Sequence, residues 1–155
     1  MKIRHVEERD LDDILRINEQ EAKWVGSRER SFFKKYLGLP FFQVVEEAGK
    51  IVGFVLAMRE DTDYDSKNFL WFKERVDKFL YVDRLVIDVG ERGKGLGSEL
   101  YKKIIAESGV SITAEITIIP MNRRSIGFHE RFGFQGMGEF SADGEKVCRM
   151  YKLDN

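Results

Sequence analysis

The chain has 155 residues, of which 43% are hydrophobic and 34% charged, and its formal net charge is −1. This length predicts a single domain over residues 1–155, and the balanced charge disfavours nucleic acid or a membrane surface as a partner. The only cysteine, Cys148, excludes an internal disulfide bond, and charges recur from Lys2 through Glu21, where a signal peptide would be apolar. We therefore expect a cytoplasmic protein without a membrane-spanning segment.

The first third of the chain predicts one strand, two helices and a hairpin. Residues 2–6 alternate between polar and apolar side chains, as a strand does. Asp10 is expected to cap a first helix, and residues 27–37 are expected to form a second helix. Two apolar runs, 41–46 and 51–58, flank a short polar turn and predict the hairpin.

A polar loop over residues 60–67 follows this hairpin. It carries three carboxylates at alternate positions, Asp61, Asp63 and Asp65. The spacing is that of the start of a calcium-binding loop, but Ser66 stands where that loop needs glycine, and Phe72 stands where it needs glutamate. We therefore expect a solvated loop and no metal site, with attraction of a cationic amine as the alternative function.

A glycine-rich loop is the most informative stretch of the sequence. Residues 68–78 predict a short helix or lid, and residues 79–87 predict the strand that precedes the loop. The loop has the sequence Arg92-Gly93-Lys94-Gly95-Leu96-Gly97-Ser98 and opens a helical pattern that continues to about Ser108. Glycine lets the backbone approach a ligand closely, and the free N–H groups of a helix start favour an anion. The loop therefore predicts a pyrophosphate-binding site.

Two other kinds of glycine loop fit this sequence poorly. A Walker A loop needs lysine directly after its last glycine, and Leu96 follows Gly95 instead. A dinucleotide or methyl-donor loop needs the pattern G-x-G-x-x-G, which glycines at positions 93, 95 and 97 do not produce. A methyltransferase dependent on S-adenosylmethionine is kept as an alternative enzyme.

The remaining strands define the expected fold class. Residues 110–119 predict a strand that contains Glu115, and residues 134–140 and 146–153 predict a final hairpin. The element order is then β α α β β, lid, β α β α β β. This mixed order predicts an α/β sandwich with a mostly antiparallel sheet.

A helix is predicted between that strand and the final hairpin. Asn122 is placed to cap it, and helical spacing puts Asn122, Ser125 and His129 on one face. Phe128 and Phe132 share another face, which is expected to pack into the core.

Two motifs, in this order, resemble the GNAT superfamily of N-acetyltransferases. The first, Arg92-x-x-Gly95-x-Gly97 after a strand, resembles the acetyl-CoA loop of that family. The second resembles a signature in which an asparagine opens a helix and Gly-Phe closes it, and it reads Asn122-Arg123-Arg124-Ser125-Ile126-Gly127-Phe128-His129-Glu130-Arg131-Phe132-Gly133-Phe134. The resemblance covers nearly the whole chain and implies a mixed, mostly antiparallel sheet of six to seven strands flanked by helices.

The resemblance implies acetyl-CoA as the cofactor and assigns residues to it. Backbone groups of the strand before the loop would bind the pantetheine amides, and these belong to Leu85, Val86 and Ile87. The pyrophosphate would be held by the backbone N–H groups of Arg92, Gly93, Lys94, Gly95, Leu96, Gly97 and Ser98. Asn122 would bond the pantetheine arm, and Ser125 and His129 would lie along the same cofactor-binding face.

The resemblance also implies candidates for proton transfer. His129 stands where many members have a tyrosine that protonates the leaving thiolate, and imidazole, with an ordinary pKa of about 6.5, can donate a proton near neutral pH. A His129 that only packs on the cofactor is the alternative. Glu115 or Asp83 would act as the base, directly or through a water molecule. For Asp83 the alternative is an ion pair with Arg84 or Arg4.

The implied function is acetyl-CoA-dependent transfer of an acetyl group directly to a primary amine of a small molecule or a protein. A CoA-binding sensor or regulatory module without turnover is the alternative from another class, since His129 replaces the tyrosine. Residues 20–40, 60–78 and 135–146 would form the walls of the acceptor site. The expected partner is the amine acceptor, without nucleic acid, membrane or metal, and a homodimer is left open.

Overall fold

The computed structural model describes residues 1–155, which form seven strands and six α-helices. The strands are β1 (Lys2–His5), β2 (Phe42–Glu47), β3 (Lys50–Arg59), β4 (Phe79–Ile87), β5 (Ser111–Ile119), β6 (Gln135–Phe140) and β7 (Val147–Leu153). The helices are α1 (Leu11–Gln20), α2 (Ala22–Val25), α3 (Arg30–Lys35), α4 (Lys67–Lys73), α5 (Leu96–Ser108) and α6 (Arg123–Phe132). None of these helices has the length and apolar character that crossing a membrane requires.

The strands belong to one seven-stranded sheet with the order β1-β2-β3-β4-β5-β7-β6. The pairs β1/β2, β2/β3, β5/β7 and β6/β7 are antiparallel, and β4/β5 is parallel. A parallel pair needs a long crossover connection, which the loop and α5 provide between β4 and β5. The predicted mixed, mostly antiparallel sheet with flanking helices is confirmed.

The chain divides into two compact units. The first unit comprises Met1–Met58 and Asp83–Glu107, and the second unit comprises Arg59–Val82 and Ser108–Asn155. The boundary falls inside β4, so the two ends of this strand belong to different units. The single domain expected over residues 1–155 stays a prediction.

In the first unit, the predicted hairpin of β2 and β3 is confirmed. Its turn places Ala48 and Gly49 at positive φ, 49° and 78°. Helix α3 packs on the hairpin through Phe33, whose ring centroid lies 6.1 Å from that of Phe42 and 5.8 Å from that of Phe54. All three rings are fully buried, so they form the centre of this core.

Two details of the first unit differ from expectation. The Asp10 side chain does not cap α1; its carboxylate accepts a hydrogen bond from the backbone N–H of Glu7 at 2.8 Å and forms an ion pair with Arg4 at 2.8 Å. Asp10 therefore caps the short 3₁₀ turn that precedes α1. The helix predicted over residues 27–37 is shorter, because Glu29 has an extended backbone (φ −85°, ψ 162°) and α3 runs only from Arg30 to Lys35.

In the second unit, an aromatic cluster lies beneath α4. Residues 79–81 of β4 pair in parallel with residues 111–113 of β5. Phe69 and Phe72 of α4 pack on this pair, with ring centroids 5.5 and 5.9 Å from that of Tyr81. The helix begins after Ser66, whose Oγ accepts from the N–H of Phe69 at 3.4 Å, and it ends at Lys73, five residues before the predicted end.

Candidate active site

The glycine loop has the backbone that an anion site needs. Gly93 and Gly95 lie at φ +82° and +78°, a region that other residues enter only with strain. No atom lies within 4 Å of a Cβ built at either position, so the space beside both glycines is open. The thirteen-residue helix α5 begins at Leu96, directly after them. Gly97 lies inside α5 and has no positive φ, so left-handed freedom is required at 93 and 95 only.

Side chains of α1 hold the segment that leads into this loop. The side-chain oxygen Oε1 of Gln20 accepts from the backbone N–H of Val89 at 3.0 Å, and its side-chain nitrogen Nε2 donates to Oδ1 of Asp88 at 3.3 Å. Arg16 reaches the other oxygen of Asp88 at 3.2 Å. Sequence reasoning missed this set of contacts, because nothing in the spacing of α1 indicates a partner so far along the chain.

The charged side chains of the loop pair with neighbouring acids. Arg92 forms an ion pair with Glu21, and Lys94 forms one with Glu91. That the backbone N–H groups of the loop bind a phosphate stays a prediction.

The strand section predicted to bind pantetheine lies against β3. A Cβ at Gly53 would lie 2.6 Å from Cδ1 of Ile87 and 3.1 Å from the backbone oxygen of Val86. Any side chain at position 53 would therefore move the end of the Ile87 side chain and press on the Val86 carbonyl oxygen. Val86 is buried, whereas Leu85 and Ile87 are partly exposed.

Asp83 is engaged in a buried ion pair. Its Oδ2 accepts from Nε of Arg84 at 2.7 Å, and only 5% and 2% of the two side chains are exposed. Nη1 of Arg84 donates to Oδ1 of Asn18 and to the Gly26 carbonyl oxygen, both at 3.0 Å. The pairing with Arg84 that was the alternative to a catalytic Asp83 is present, whereas Arg4 pairs with acids elsewhere.

Glu115 lies in a hydrogen-bonded cluster of the second unit. Its Oε1 accepts from the Tyr81 hydroxyl at 2.7 Å and from Nδ2 of Asn68 at 3.1 Å. Sequence reasoning missed both donors. Tyr81 was detectable in part, because parallel strands place Tyr81 beside Thr113, two residues before Glu115 on the same face of β5. Asn68 was not detectable, because only the packing of α4 brings it to the sheet.

The three residues predicted to share a face of α6 are linked by hydrogen bonds. Oδ1 of Asn122 accepts from the N–H of Ser125 at 3.3 Å, which confirms the predicted cap. The ring of His129 makes a 2.7 Å hydrogen bond from Nδ1 to the Ser125 carbonyl oxygen, and its Nδ1 lies 3.4 Å from the Ser125 hydroxyl. Since a carbonyl oxygen only accepts, Nδ1 carries a proton.

Burial changes the expected protonation of His129. The side chain is 6% exposed, with ring centroids of Phe134 and Tyr151 at 5.1 and 6.2 Å. This burial lowers the pKa of His129 from 6.5 to about 4. At neutral pH the ring is therefore neutral, with its proton on Nδ1 and none on Nε2. The ordinary histidine pKa, on which the predicted acid role depended, does not hold here.

His129 is the core-facing residue of α6, whereas Phe128 and Phe132 were expected to face the core. Phe128 and Phe132 are only partly buried, whereas His129 is the buried residue of α6. The reason is the direction of the helix face that meets β7, where the His129 ring stacks on Tyr151 at an interplanar angle of 18°. Tyr151 in turn donates to Glu130 at 2.7 Å.

The predicted site residues are thus distributed over both units. The first unit holds Asp83, the strand section 85–87 and the loop 92–98, and the second holds Glu115 and the residues of α6. A family model described as "Acetyltransferase (GNAT) family" matches residues 8–134. The chain belongs to the GNAT family.

Among curated proteins, this GNAT chain is similar to the spermine/spermidine N(1)-acetyltransferase of Bacillus subtilis (strain 168). The two are 36% identical over 103 residues, which are 64% of this chain and 62% of the relative. The chain therefore spans about three fifths of the length of the Bacillus relatives that it matches. It is also 28% identical over 133 residues to the L-methionine sulfoximine/L-methionine sulfone acetyltransferase of Pseudomonas aeruginosa, covering 84% of this chain and 67% of that protein.

Solved structures confirm the GNAT fold. Ard1 from Thermoplasma volcanium matches with a TM-score of 0.75 at 18% identity, covering 99% of this chain and 97% of that chain. Naa20 from Chaetomium thermophilum, solved with a bisubstrate analogue, matches with a TM-score of 0.78 at 14% identity, covering 99% and 86%. The Salmonella typhimurium protein yncA, solved with its cofactor acetyl-CoA, matches with a TM-score of 0.70 at 19% identity, covering 99% and 93%. At these identities the likeness concerns the fold alone.

The glycine loop of this GNAT chain has a backbone that fits the pyrophosphate of coenzyme A. The two left-handed glycines, the open space beside them and the helix start that follows suit a pyrophosphate.

Proposed function

We propose that this chain is an acetyl-CoA-dependent N-acetyltransferase that transfers the acetyl group directly to a primary amine. The observation that carries the proposal is the open, left-handed loop at Gly93 and Gly95 in front of α5, in a chain of the GNAT family. Bound acetyl-CoA supplies the activated acyl group. The protein's own groups bind it, hold the amine and move protons.

Backbone groups would hold the cofactor in the first unit. N–H groups from Arg92 through Ser98 would bind the pyrophosphate, and the backbone of residues 85–87 would bind the pantetheine amides. In the second unit, Asn122 and Ser125 stay the candidates for contacts to the pantetheine arm.

Glu115 and Asp83 stay the two candidates for the base. Either carboxylate would take the proton of the acceptor ammonium through a water molecule. The buried ion pair with Arg84 weakens the case for Asp83, because protonating this carboxylate would leave a buried guanidinium without its counter-charge.

For His129 we propose a packing role in place of the acid role. Its neutral ring donates through Nδ1 to Ser125 and has no proton on Nε2 to give. Burial lowers its pKa to about 4, so the doubly protonated form is scarce at neutral pH. A His129→Phe variant should keep its full rate at saturating acetyl-CoA, and a large fall in kcat would restore the acid role.

The acceptor that we propose is a small cationic amine. The similar Bacillus protein is named for spermine and spermidine, and the similar Pseudomonas protein for amino-acid analogues. The exposed carboxylates Asp61, Asp63 and Asp65 of the loop before α4 favour a polyamine, since they attract positive charge.

Two measurements test the proposed function. Acetyl-CoA and CoA should raise the melting temperature of the protein, and S-adenosylmethionine should not. Release of free CoA thiol should then be measured with spermine, spermidine, methionine sulfoximine and a peptide with a free N-terminus. Stabilisation by S-adenosylmethionine alone would overturn the proposal.

A CoA-binding sensor without turnover is the second candidate function. The neutral, buried His129 at the position of a catalytic tyrosine favours it. Binding of CoA without thiol release on any amine of the panel would select this candidate. The absence of a metal requirement, the cytoplasmic location and a homodimer stay predictions.

A further inference from the structure

The hydrogen bonds around Glu115 suit a carboxylate that stays charged. Tyr81 and Asn68 both donate to Oε1, at 2.7 and 3.1 Å. Hydrogen bonds donated to a carboxylate oxygen stabilise its negative charge and fix its orientation. Two donors on one oxygen hold the carboxylate in a fixed orientation, as a group that binds a cation requires.

The same contacts fix the orientation of the Asn68 amide. A charged carboxylate only accepts, so the atom of Asn68 that faces Glu115 is the amide nitrogen. The other end of the amide, Oδ1, is a buried acceptor without a hydrogen-bond partner. Such an acceptor is costly to bury and needs a donor. Asn68 as a whole is only partly buried, which places this acceptor close to the surface at the start of α4.

The acidic loop is packed onto this cluster. Tyr64 stands between Asp63 and Asp65, and its ring centroid lies 6.4 Å from that of Tyr81 and 5.7 Å from that of Phe69. The residues on either side of Tyr64 carry exposed carboxylates, so the loop that precedes α4 is negatively charged. An ammonium group suits the Glu115 carboxylate, the Oδ1 acceptor of Asn68 and the acidic loop, because it carries positive charge and only donates hydrogen bonds.

We propose that Glu115 and Asn68 bind a non-reacting ammonium group of a diamine or polyamine acceptor, with Tyr81 as the positioning residue for the Glu115 carboxylate. Glu115 is then a specificity-determining residue and not the base. The role of the bound amine as an acceptor rests on the proposed acetyl transfer. Binding of the amine at Glu115 and Asn68 does not require that transfer.

Binding of spermine tests the site without turnover. In calorimetric titrations with CoA present, Glu115→Gln and Asn68→Leu should each weaken spermine binding about tenfold or more, since hydrogen bonds to a charged group are lost. Tyr81→Phe should weaken it less, since it acts only through Glu115. Unchanged spermine affinity in both Glu115→Gln and Asn68→Leu would overturn the proposal, as would wild-type protein that binds no spermine.

Thr113→Val is the matched control. Thr113 lies on the same face of β5, is fully buried and has a hydroxyl without a hydrogen-bond partner. The variant alters this face while leaving both contacts to Glu115, so its spermine affinity should equal that of the wild type. Melting curves of all variants show whether each one folds, and CoA affinity should be unchanged throughout.

Kinetics with two acceptors separate the binding role from a base. 1,4-Diaminobutane and n-butylamine share a carbon chain and differ by one ammonium group. Glu115→Gln should raise KM for the diamine about tenfold more than it raises KM for butylamine. An equal fall in kcat for both amines, with loss of the acidic limb of the pH profile, would make Glu115 the base and overturn the inference. Spermine binding without turnover of any amine would instead contradict the proposed function.

Discussion

Arg84 donates from Nε to Oδ2 of its neighbour Asp83 at 2.7 Å, in an ion pair that is almost entirely buried. The guanidinium also holds Asn18 and the Gly26 carbonyl oxygen, and it lies 5.3 Å from the ring centroid of Phe32. One side chain of β4 thus contacts α1, the end of α2, and α3. Arg84 is a structural residue of the first unit.

Removing the charge of Arg84 should strongly lower the stability of the protein. Arg84→Met leaves the Asp83 charge buried without its partner, and we expect a loss of about 3 to 5 kcal/mol in the free energy of unfolding. Urea denaturation measures it. Lys102→Met is the matched control, because Lys102 pairs with Glu99 at 3.5 Å on the exposed face of α5, and it should change stability by less than about 0.5 kcal/mol. Equal losses in the two variants would contradict the structural role.

A methyl group at Gly95 should separate backbone strain from cofactor binding. Gly95→Ala and Gly109→Ala both place a Cβ at positive φ, +78° and +64°, in open space. Each should cost about 1 kcal/mol of stability or slightly more. Only Gly95→Ala should also weaken CoA binding in calorimetric titrations, since its methyl group would occupy the space assigned to the pyrophosphate. Equal CoA affinity in the two variants would remove the loop from the cofactor site.

Helix α1 should affect CoA affinity without touching CoA. Gln20→Ala removes the hydrogen bonds to Val89 and Asp88 that hold the start of the loop. We expect CoA affinity to fall about fivefold, as for the loss of roughly 1 kcal/mol. Glu19→Ala, at an exposed neighbouring position of the same helix, should leave it unchanged. If both variants bind CoA like the wild type, α1 does not position the loop.

The stability of the protein should fall in mild acid because of His129. Its folded pKa of about 4 lies below the ordinary 6.5, so the unfolded chain binds the proton first as the pH drops. The stabilisation is complete above pH 6.5 and is lost as the pH falls towards 4, by about 3 kcal/mol. The difference in unfolding free energy between the wild type and His129→Phe, measured from pH 7 to pH 4, isolates this contribution. Parallel curves for the two proteins would show that His129 is accessible to protons in the folded state.

The sequence alone predicted those parts of the fold that local patterns determine. The span of β4, the helix that the glycine loop opens, the Asn122 cap and the two hairpins follow from apolar periodicity and from turn or capping residues. The start of α3 was missed because composition does not reveal the extended backbone of Glu29, which precedes the helix.

Contacts within the candidate site were less predictable. The partners of Glu115 come from β4 and α4, and only tertiary packing brings Asn68 to β5. The low pKa of His129 likewise comes from Phe134 and Tyr151, which shield the ring from water. Residue identity predicted which groups could take part in chemistry, while burial decided their charge.

The size of the side chain at position 53 affects how closely β3 lies to residues 85–87 of β4. The missing Cβ of Gly53 allows β3 to lie against Val86 and Ile87, so an added methyl group would press on backbone that contacts the cofactor in our proposal. A Gly53→Ala change adds neither charge nor a hydrogen-bonding group. A change at position 53 can therefore alter the strand section 85–87 that we propose to bind pantetheine, without replacing any residue that we propose to bind the cofactor.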